Sequence, residues 1–192
     1  MTAPKILAFA GSARRDSFNV ALLAIAVEGV REAGGEVTLV SMRDYPMPMY
    51  DGDMEAEQGL PEHALRFKAL LNAHAGILIA CPEYNSSITP LLKNTIDWTS
   101  RPSPGQPSLQ CYQGKVAGLL SAAPGALGGL RGLVTVRSIL GNIGVTVIPQ
   151  QFSLSKAGEA FDDQKRLKDE SQAAKARAIA ATLTRVTAKL AG

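Results

Sequence analysis

The stretch KILAFAGSARRDSFNVALLAIAVEGVREAGG, residues 5–35, decides the fold class. Residues 5–10 form a short apolar run that ends at Gly11-Ser12, as a buried strand ends at a loop. Helical spacing of apolar side chains follows over residues 18–33, at Val20, Leu23, Ala24, Val27 and Val30. Gly34-Gly35 then stops the helix. The order strand, loop, helix is the opening unit of an α/β fold.

The same alternation continues along the rest of the chain. Further strands are predicted at residues 37–40, 76–80, 116–121 and 145–148. Further helices are predicted at 61–72, 90–98, 126–140 and 162–190, the last with a break near its start, and loops at 44–59, 81–89 and 101–114. The continuous apolar run at 76–80 is typical of a central strand buried on both faces. We therefore expect one α/β domain over residues 1–192, a parallel sheet with helices on both faces.

Composition excludes several classes of protein. The chain is 46% apolar and 19% charged, the balance of a globular protein rather than a disordered one. Its apolar runs are far shorter than the roughly 18 residues of a membrane-spanning helix, and it opens without a signal-peptide pattern, so we expect a cytoplasmic protein. A net charge of +3 without a basic stripe, and 5% aromatic residues, argue against nucleic-acid binding. Cys81 and Cys111 are too few for a disulfide framework or a zinc site.

Three loops are expected to meet at one edge of the sheet, because ligands of such sheets bind where the strands end and the strand order switches. They span residues 11–19, 82–87 and 121–125. In the first loop Ser12, Ser17 and Asn19 offer hydroxyl and amide groups, and Arg14 or Arg15 offers a guanidinium. This loop enters a helix whose first N–H groups are free to bind an anion. It has neither the phosphate-loop nor the dinucleotide glycine pattern, so a monophosphate fits best.

The second and third loops are suited to a flat ring. Pro82 stiffens the turn after the central strand, Tyr84 offers an apolar ring with a polar tip, and Asn85 can both donate and accept. In the third loop, Ser121 is followed by small residues through Gly125, which let the backbone approach the edge of a ligand. Together the two loops predict a site for a heteroaromatic ring.

Each loop also has a purely structural interpretation. Ser17 or Asp16 would merely cap the first helix. Tyr84 would be a packed surface aromatic residue and Glu83 a solvated acid. The third loop would be a glycine-rich helix start. The convergence of three loops on one edge favours the ligand site.

Other reactive side chains are expected to have no catalytic role. His63 and His74 lie on or beside the helix before the central strand, away from the loops, and are predicted as surface histidines. Cys81 is predicted as a buried core thiol. The sequence has no Gly-x-Ser-x-Gly elbow and no histidine in a late loop, so a serine hydrolase is not supported.

Two motifs carry a resemblance to a known family. Gly11-Ser12-x-Arg14-x-x-Ser17-x-Asn19 and Pro82-Glu83-Tyr84-Asn85 resemble those of the NADPH-dependent FMN reductases, which include bacterial quinone and chromate reductases. The likeness continues through residues 91–98, the turn at 121–129, residues 149–152 and Phe161-Asp162. It implies a flavodoxin-like three-layer sandwich whose five-stranded parallel sheet has the order 2-1-3-4-5. The chain departs from the family pattern at Gly129-Leu130-Arg131-Gly132, where an extra glycine stands early in a helix, and the connection at 102–110 has no clear counterpart.

The resemblance also implies which residues bind FMN. The first loop would wrap the phosphate through Ser12, Arg14, Ser17, the Phe18 backbone and Asn19. Arg14 would be the main counter-charge, whereas Arg15 matches no motif position. The second loop would hold the isoalloxazine ring through Pro82, Glu83, Tyr84 and Asn85. Ser121 would approach the polar edge of that ring.

The activity implied is transfer of electrons from NADPH, or NADH, through FMN to a small acceptor such as a quinone, an azo compound, chromate or free flavin. The flavin carries this chemistry, so no catalytic acid or base is required of the protein. The family forms homodimers and homotetramers, with the helix over residues 91–98 near the interface. Two alternatives remain at this point. An FMN-binding electron carrier would serve a protein partner, and a nucleotide-monophosphate binding domain would have no redox activity.

Overall fold

A five-stranded parallel sheet forms the centre of the protein, whose residues 2–190 are described by a computed structural model. The strands are β1 (Lys5–Ala10), β2 (Glu36–Val40), β3 (Gly76–Ala80), β4 (Glu83–Tyr84), β5 (Ser87–Ile88), β6 (Val116–Ala122) and β7 (Thr146–Leu154). The sheet order is β2-β1-β3-β6-β7, and β4 and β5 form a separate antiparallel hairpin. When this hairpin is left out of the count, the predicted order 2-1-3-4-5 is confirmed.

Helices cover both faces of the sheet. They are α1 (Phe18–Glu32), α2 (Gly52–Gln58), α3 (Glu62–Ala73), α4 (Pro90–Thr99), α5 (Leu130–Asn142), α6 (Ala157–Ala160) and α7 (Glu170–Leu190). Ile6 and Ala8 pack in the core formed with α1 and α7, whereas Leu7 and Phe9 pack in the core formed with α3, α4 and α5. This alternation follows from the two-residue period of a strand. Within residues 2–190, no helix is long and apolar enough to cross a bilayer.

The position of the central strand β3 accounts for its apolar sequence. All five of its residues are buried, because β1 pairs on one side, β6 on the other, and helices lie above and below. Leu78 faces one core while Ile77 and Ile79 face the other. The run of apolar residues without polar alternation is therefore the pattern of a strand buried on both faces, as predicted.

Two short elements lie where the sequence predicts loops. Helix α2 interrupts the predicted loop at 44–59. It has no buried residue, so its sequence shows no apolar periodicity. The Asp51 side chain caps its start, and Gly59 ends it with a φ of 73°. The hairpin β4–β5 interrupts the predicted loop at 81–89. Its two turn residues, Asn85 and Ser86, have φ of 49° and 66°, the backbone of a tight hairpin turn that asparagine tolerates well.

Two predicted helices begin later than their sequences indicate. Helix α5 begins at Leu130 rather than at residue 126, because Gly128 and Gly129 adopt φ of 60° and 88° and keep the chain out of the helix. Helix α7 begins at Glu170 rather than at residue 162. The preceding segment is fixed instead by the Asp162 carboxylate, which accepts the backbone N–H groups of Gln164 and Arg166, both at 2.9 Å. A glycine turn before α5 and a polar turn before α7 therefore replace the predicted first helical turns.

Candidate functional site

An open cleft lies at the edge of the sheet where β1, β3 and β6 end. It has a volume of about 440 Å³, including its solvent-filled mouth. Its lining comes from all three predicted loops and consists of Ser12, Arg14, Ser17, Phe18, Asn19, Pro82, Glu83, Tyr84, Ala122, Ala123 and Pro124. Eight of the ten predicted site residues are therefore brought together, and the two that do not line the cleft are Asn85 and Ser121.

The first loop presents hydrogen-bond donors at the start of α1. Ser17 is the N-cap of this helix, and its Oγ accepts the N–H of Val20 at 3.4 Å. N–H groups in the first turn of a helix have no partner within the helix, and the helix dipole gives that end partial positive charge. The structural capping role expected for Ser17 is thus present. It coexists with a helix terminus able to bind an anion.

Arg14 is positioned by the loop that carries it. Its backbone N–H donates to Ser12 Oγ at 3.2 Å, and its Nη2 donates to the carbonyl oxygen of Asp16 at 2.6 Å. The guanidinium lies 5.4 Å from the centroid of the Phe18 ring, within reach of a cation–π interaction. Phe18 is in turn stacked on Phe161, with 6.0 Å between the ring centroids. The cation at the cleft is therefore held by the local fold, while its remaining N–H groups are available to a ligand.

Asn19 has a different arrangement from that expected of a phosphate ligand. Its Nδ2 donates to the carbonyl oxygen of Ala122 at 2.8 Å, and its Oδ1 accepts the N–H of the same residue at 3.0 Å. The side chain is only 4% exposed. Both ends of the amide thus engage strand β6. Asn19 lines the cleft by joining the start of α1 to the end of β6, and this tie fixes the first loop against the third.

The hairpin β4–β5 forms one wall of the cleft. Pro82 is buried and Tyr84 is 55% exposed, so the Tyr84 ring stands at the mouth of the cleft. Asn85 is exposed at the hairpin turn, where its positive φ accounts for the residue type. The sequence places Asn85 in the correct loop. The hairpin, which was not predicted, turns it away from the cleft lining.

The Glu83 carboxylate is held by the start of helix α5. Its Oε1 accepts Nε and Nη2 of Arg131 at 3.1 and 2.9 Å, and its Oε2 accepts the N–H of Gly132 at 3.0 Å. Burial alone would raise the pKa of Glu83, but the Gly132 N–H and the Arg131 guanidinium outweigh it and hold the pKa below its usual value. Glu83 is therefore not the solvated acid of the structural alternative. Among residues 2–190 it is also the only carboxylate that lines the cleft.

Ser121 does not line the cleft. It is fully buried, and its Oγ donates to the carbonyl oxygen of Cys81 at 2.7 Å, so it ties the end of β6 to the end of β3. Ala122, Ala123 and Pro124 line the cleft in its place. The small residues after the fourth predicted strand indicated the right loop. Side chains alternate between the two faces of a strand, and this alternation directs Ser121 inward.

The other reactive side chains lie away from the cleft. His74, predicted at the surface, is buried: its Nδ1 lies 2.6 Å from the carbonyl oxygen of Leu70 and its Nε2 lies 2.7 Å from Thr38 Oγ1. The prediction was wrong because Thr38 is 36 residues away along the chain and covers the ring only in the folded sheet. Cys81 is fully buried as predicted, and burial raises the pKa of its thiol. Neither side chain takes part in the cleft.

Known proteins resemble this chain in sequence and in fold. The profile of the NADPH-dependent FMN reductase family matches residues 4–159. An NAD(P)H-dependent FMN reductase of Pseudomonas aeruginosa is 36% identical over 167 residues, which cover 86% of this chain and 85% of that protein. An NAD(P)H:quinone oxidoreductase of Solanum tuberosum is 32% identical over 193 residues, covering 98% and 95%.

A solved structure supports the fold independently of close sequence similarity. A flavoenzyme NAD(P)H:(acceptor) oxidoreductase from Paracoccus denitrificans superimposes with a TM-score of 0.78 at 24% identity, over 97% of this chain and 98% of that one. At this identity the likeness shows the flavodoxin-like fold alone. The family profile and the two relatives show the family: this chain belongs to the NADPH-dependent FMN reductase family.

Proposed function

We propose that this protein is an FMN-dependent NAD(P)H oxidoreductase that passes electrons from NADPH, through FMN bound in the cleft, to a small acceptor such as a quinone, an azo compound, chromate or free flavin. The observation that carries the proposal is the cleft itself. A donor-rich loop at a helix N-terminus and an exposed aromatic hairpin, far apart in sequence, form the two ends of one cavity. The family membership gives the same activity.

The phosphate end of the proposed site is chemically matched to a dianion. Ser12, Ser17 and the first N–H groups of α1 are neutral donors, and Arg14 supplies a full positive charge. The nearby carboxylate of Glu83 is paired with Arg131, so its charge is compensated. In this proposal Arg14 and the helix terminus bind the phosphate, and Asn19 holds the loop in the shape that lets them do so.

The ring end of the proposed site is flat and largely apolar. Pro82, Tyr84, Ala122, Ala123 and Pro124 provide small or planar surfaces against which an isoalloxazine ring can pack. When bound, FMN would supply the redox chemistry, a transfer of two electrons between the nicotinamide and the acceptor. The side chains of this end would position the ring and shield it from water. The open mouth beside Tyr84 leaves room for flat molecules, which suits a broad range of acceptors.

Finer properties belong to the same proposal. A homodimer or homotetramer in which α4 lies near the interface is supported by the family resemblance. A cytoplasmic location is also part of the proposal. The lack of a nucleic-acid partner is supported by the scattered charge, a net +3, and by the small share of aromatic residues, 5%.

Steady-state turnover tests the proposed activity. The FMN-loaded protein is mixed anaerobically with NADPH and a soluble benzoquinone, and NADPH absorbance is followed. We expect sustained NADPH oxidation that requires both flavin and quinone. The reason is that the open mouth of the cleft leaves room for NADPH and for the quinone. An electron carrier would give slow or single-turnover oxidation until its protein partner is added. That result would replace the reductase by the carrier alternative.

A further inference from the structure

Helix α5 begins without a side chain of its own to cap it. Its N-cap residue is Gly129, which has φ of 88° and no side-chain hydrogen bond to the helix. N–H groups in the first turn of a helix need an acceptor from elsewhere. Glu83, 49 positions earlier in the sequence, supplies it by accepting the Gly132 N–H at 3.0 Å. A carboxylate at a helix N-terminus is also favoured by the helix dipole.

Gly132 is what allows this approach. A Cβ at this position would lie 3.2 Å from the carbonyl oxygen of Ser87 and 3.3 Å from Glu83 Cβ, closer than side chains normally pack. The hairpin therefore rests directly on the backbone of the first turn of α5. Gly132 belongs to the stretch Gly129-Leu130-Arg131-Gly132, in which this sequence departs from the family pattern by an extra glycine.

Arg131 binds the second oxygen of the same carboxylate. It donates twice to Oε1 while Gly132 donates to Oε2, so both oxygens of Glu83 are occupied by α5. The Glu83 side chain is 9% exposed, whereas that of Arg131 is 58% exposed. The carboxylate is thus enclosed between hairpin and helix and held from the outside by the guanidinium.

The hairpin depends on such an anchor. It contains two residue pairs, Glu83 with Ile88 and Tyr84 with Ser87, and a hairpin of this size is not stable by itself in water. Ile88, the pairing partner of Glu83, is buried in the core. Glu83 itself directly precedes Tyr84, whose ring stands at the cleft mouth. What holds Glu83 therefore also fixes the backbone from which the Tyr84 side chain projects.

We propose that Glu83 is a positioning residue, which fixes the Tyr84 ring over the cleft by binding the first turn of α5 and acts on the flavin only through Tyr84. This inference rests on the proposed function only in the experiments that measure flavin binding. It replaces the sequence-based expectation that Glu83 touches the cofactor. It also gives Arg131 and Gly132, which do not line the cleft, a defined part in shaping it.

A double-mutant cycle between Glu83 and Tyr84 tests the proposal. FMN dissociation constants are measured by titration for the wild type, Glu83→Ala, Tyr84→Ala and the double variant. We expect Glu83→Ala to raise the dissociation constant by about 10-fold, about 1.4 kcal/mol, in the wild-type background and by less than about 2-fold in Tyr84→Ala. Glu83→Gln should recover part of the loss, because its amide oxygen can still accept the Gly132 N–H. Glu28→Gln, at an exposed ion pair on α1, is the control and should change nothing.

Equal effects of Glu83→Ala in both backgrounds would overturn the proposal, since they would mean that Glu83 acts on FMN independently of Tyr84. If Glu83→Ala does not fold, Glu83→Gln takes its place in the cycle. Hydrogen exchange of the apoprotein provides a readout that needs no flavin. We expect the Gly132 amide and the hairpin amides to exchange at least about 10-fold faster in Glu83→Ala, and faster by a smaller factor in Glu83→Gln, which keeps an acceptor for the Gly132 N–H.

The two readouts separate this inference from the proposed function. If the wild type binds no FMN, the proposed function fails, yet faster exchange confined to the hairpin and the start of α5 still supports the anchor. Exchange unchanged from the wild type would overturn the anchor whether or not FMN binds.

Discussion

Replacing Arg14 by alanine is expected to weaken FMN binding by about 10- to 100-fold, which corresponds to about 1.4 to 2.7 kcal/mol. The guanidinium is the cation that the first loop holds at the proposed phosphate end of the cleft, and hydrogen bonds to a charged phosphate are the strongest that a loop of this kind can make. The side chain is exposed, so the thermal stability of the apoprotein should hardly change. A fluorescence titration of apoprotein with FMN measures the effect.

Arg15→Ala is the matched control for this prediction. Arg15 is also exposed, adjoins Arg14 and carries the same charge, but it does not line the cleft. Both variants change the net charge equally, so long-range attraction of the phosphate falls by a similar amount in each. We expect Arg15→Ala to stay within about 2-fold of the wild type. Equal losses in the two variants would mean that the site senses overall charge and that Arg14 makes no specific contact.

Replacing Gly29 by alanine is expected to lower the free energy of unfolding by about 3 kcal/mol. In this helix pair α7 crosses α1 so closely that a Cβ on Gly29 would lie 2.0 Å from the carbonyl oxygen of Arg177 and 2.7 Å from its carbonyl carbon. Backbone atoms cannot rotate away as a side chain can, so α7 must shift as a whole. Thermal unfolding should show a midpoint lower by roughly 6 to 12 °C for a chain of this length.

Gly141→Ala controls for the general effect of adding a methyl group to a helix. Gly141 lies near the end of α5, and no atom lies within 4 Å of its added Cβ. Alanine is the better helix former, so this variant should match or exceed the wild type by about 0.5 to 1 kcal/mol. Similar destabilisation in both variants would contradict the close α1–α7 contact. FMN affinity of folded Gly29→Ala should be unchanged, because Gly29 is about 16 Å along α1 from its N-terminus.

Elements with strong local signals could be predicted from the sequence. Strand β3 is a continuous apolar run, which is typical of a strand buried on both faces. Helix α1 has both apolar periodicity and a glycine pair that ends it. Helix α2 could not be found in this way, because it buries nothing and is stabilised by capping and by tethers such as that of Tyr50 to Glu55. The edge strand β7 continues to Leu154 past Pro149, further than the predicted end at residue 148. Proline is tolerated in an edge strand.

The candidate site was predictable at the level of loops and less so at the level of side chains. The carboxyl ends of the strands in a parallel sheet determine which loops meet, so the sequence alone was enough to place the three loops together. The direction of a side chain depends on partners distant in sequence. Asn19 is engaged by Ala122, Glu83 by Gly132, and Ser121 by Cys81. None of these pairs leaves a local pattern in the sequence, so the hydrogen bonds that these three side chains make could not be predicted.

A visible-absorbance titration of the apoprotein with FMN, and in parallel with riboflavin, tests most directly the claim that the first loop holds a flavin by its phosphate. Riboflavin has the same ring and side chain and lacks only the phosphate. We expect FMN to bind with one flavin per chain and a perturbed visible spectrum, and riboflavin to bind at least about 100-fold more weakly, about 2.7 kcal/mol. Absence of flavin binding, or equal affinity for the two flavins, would contradict a phosphate site in this cleft.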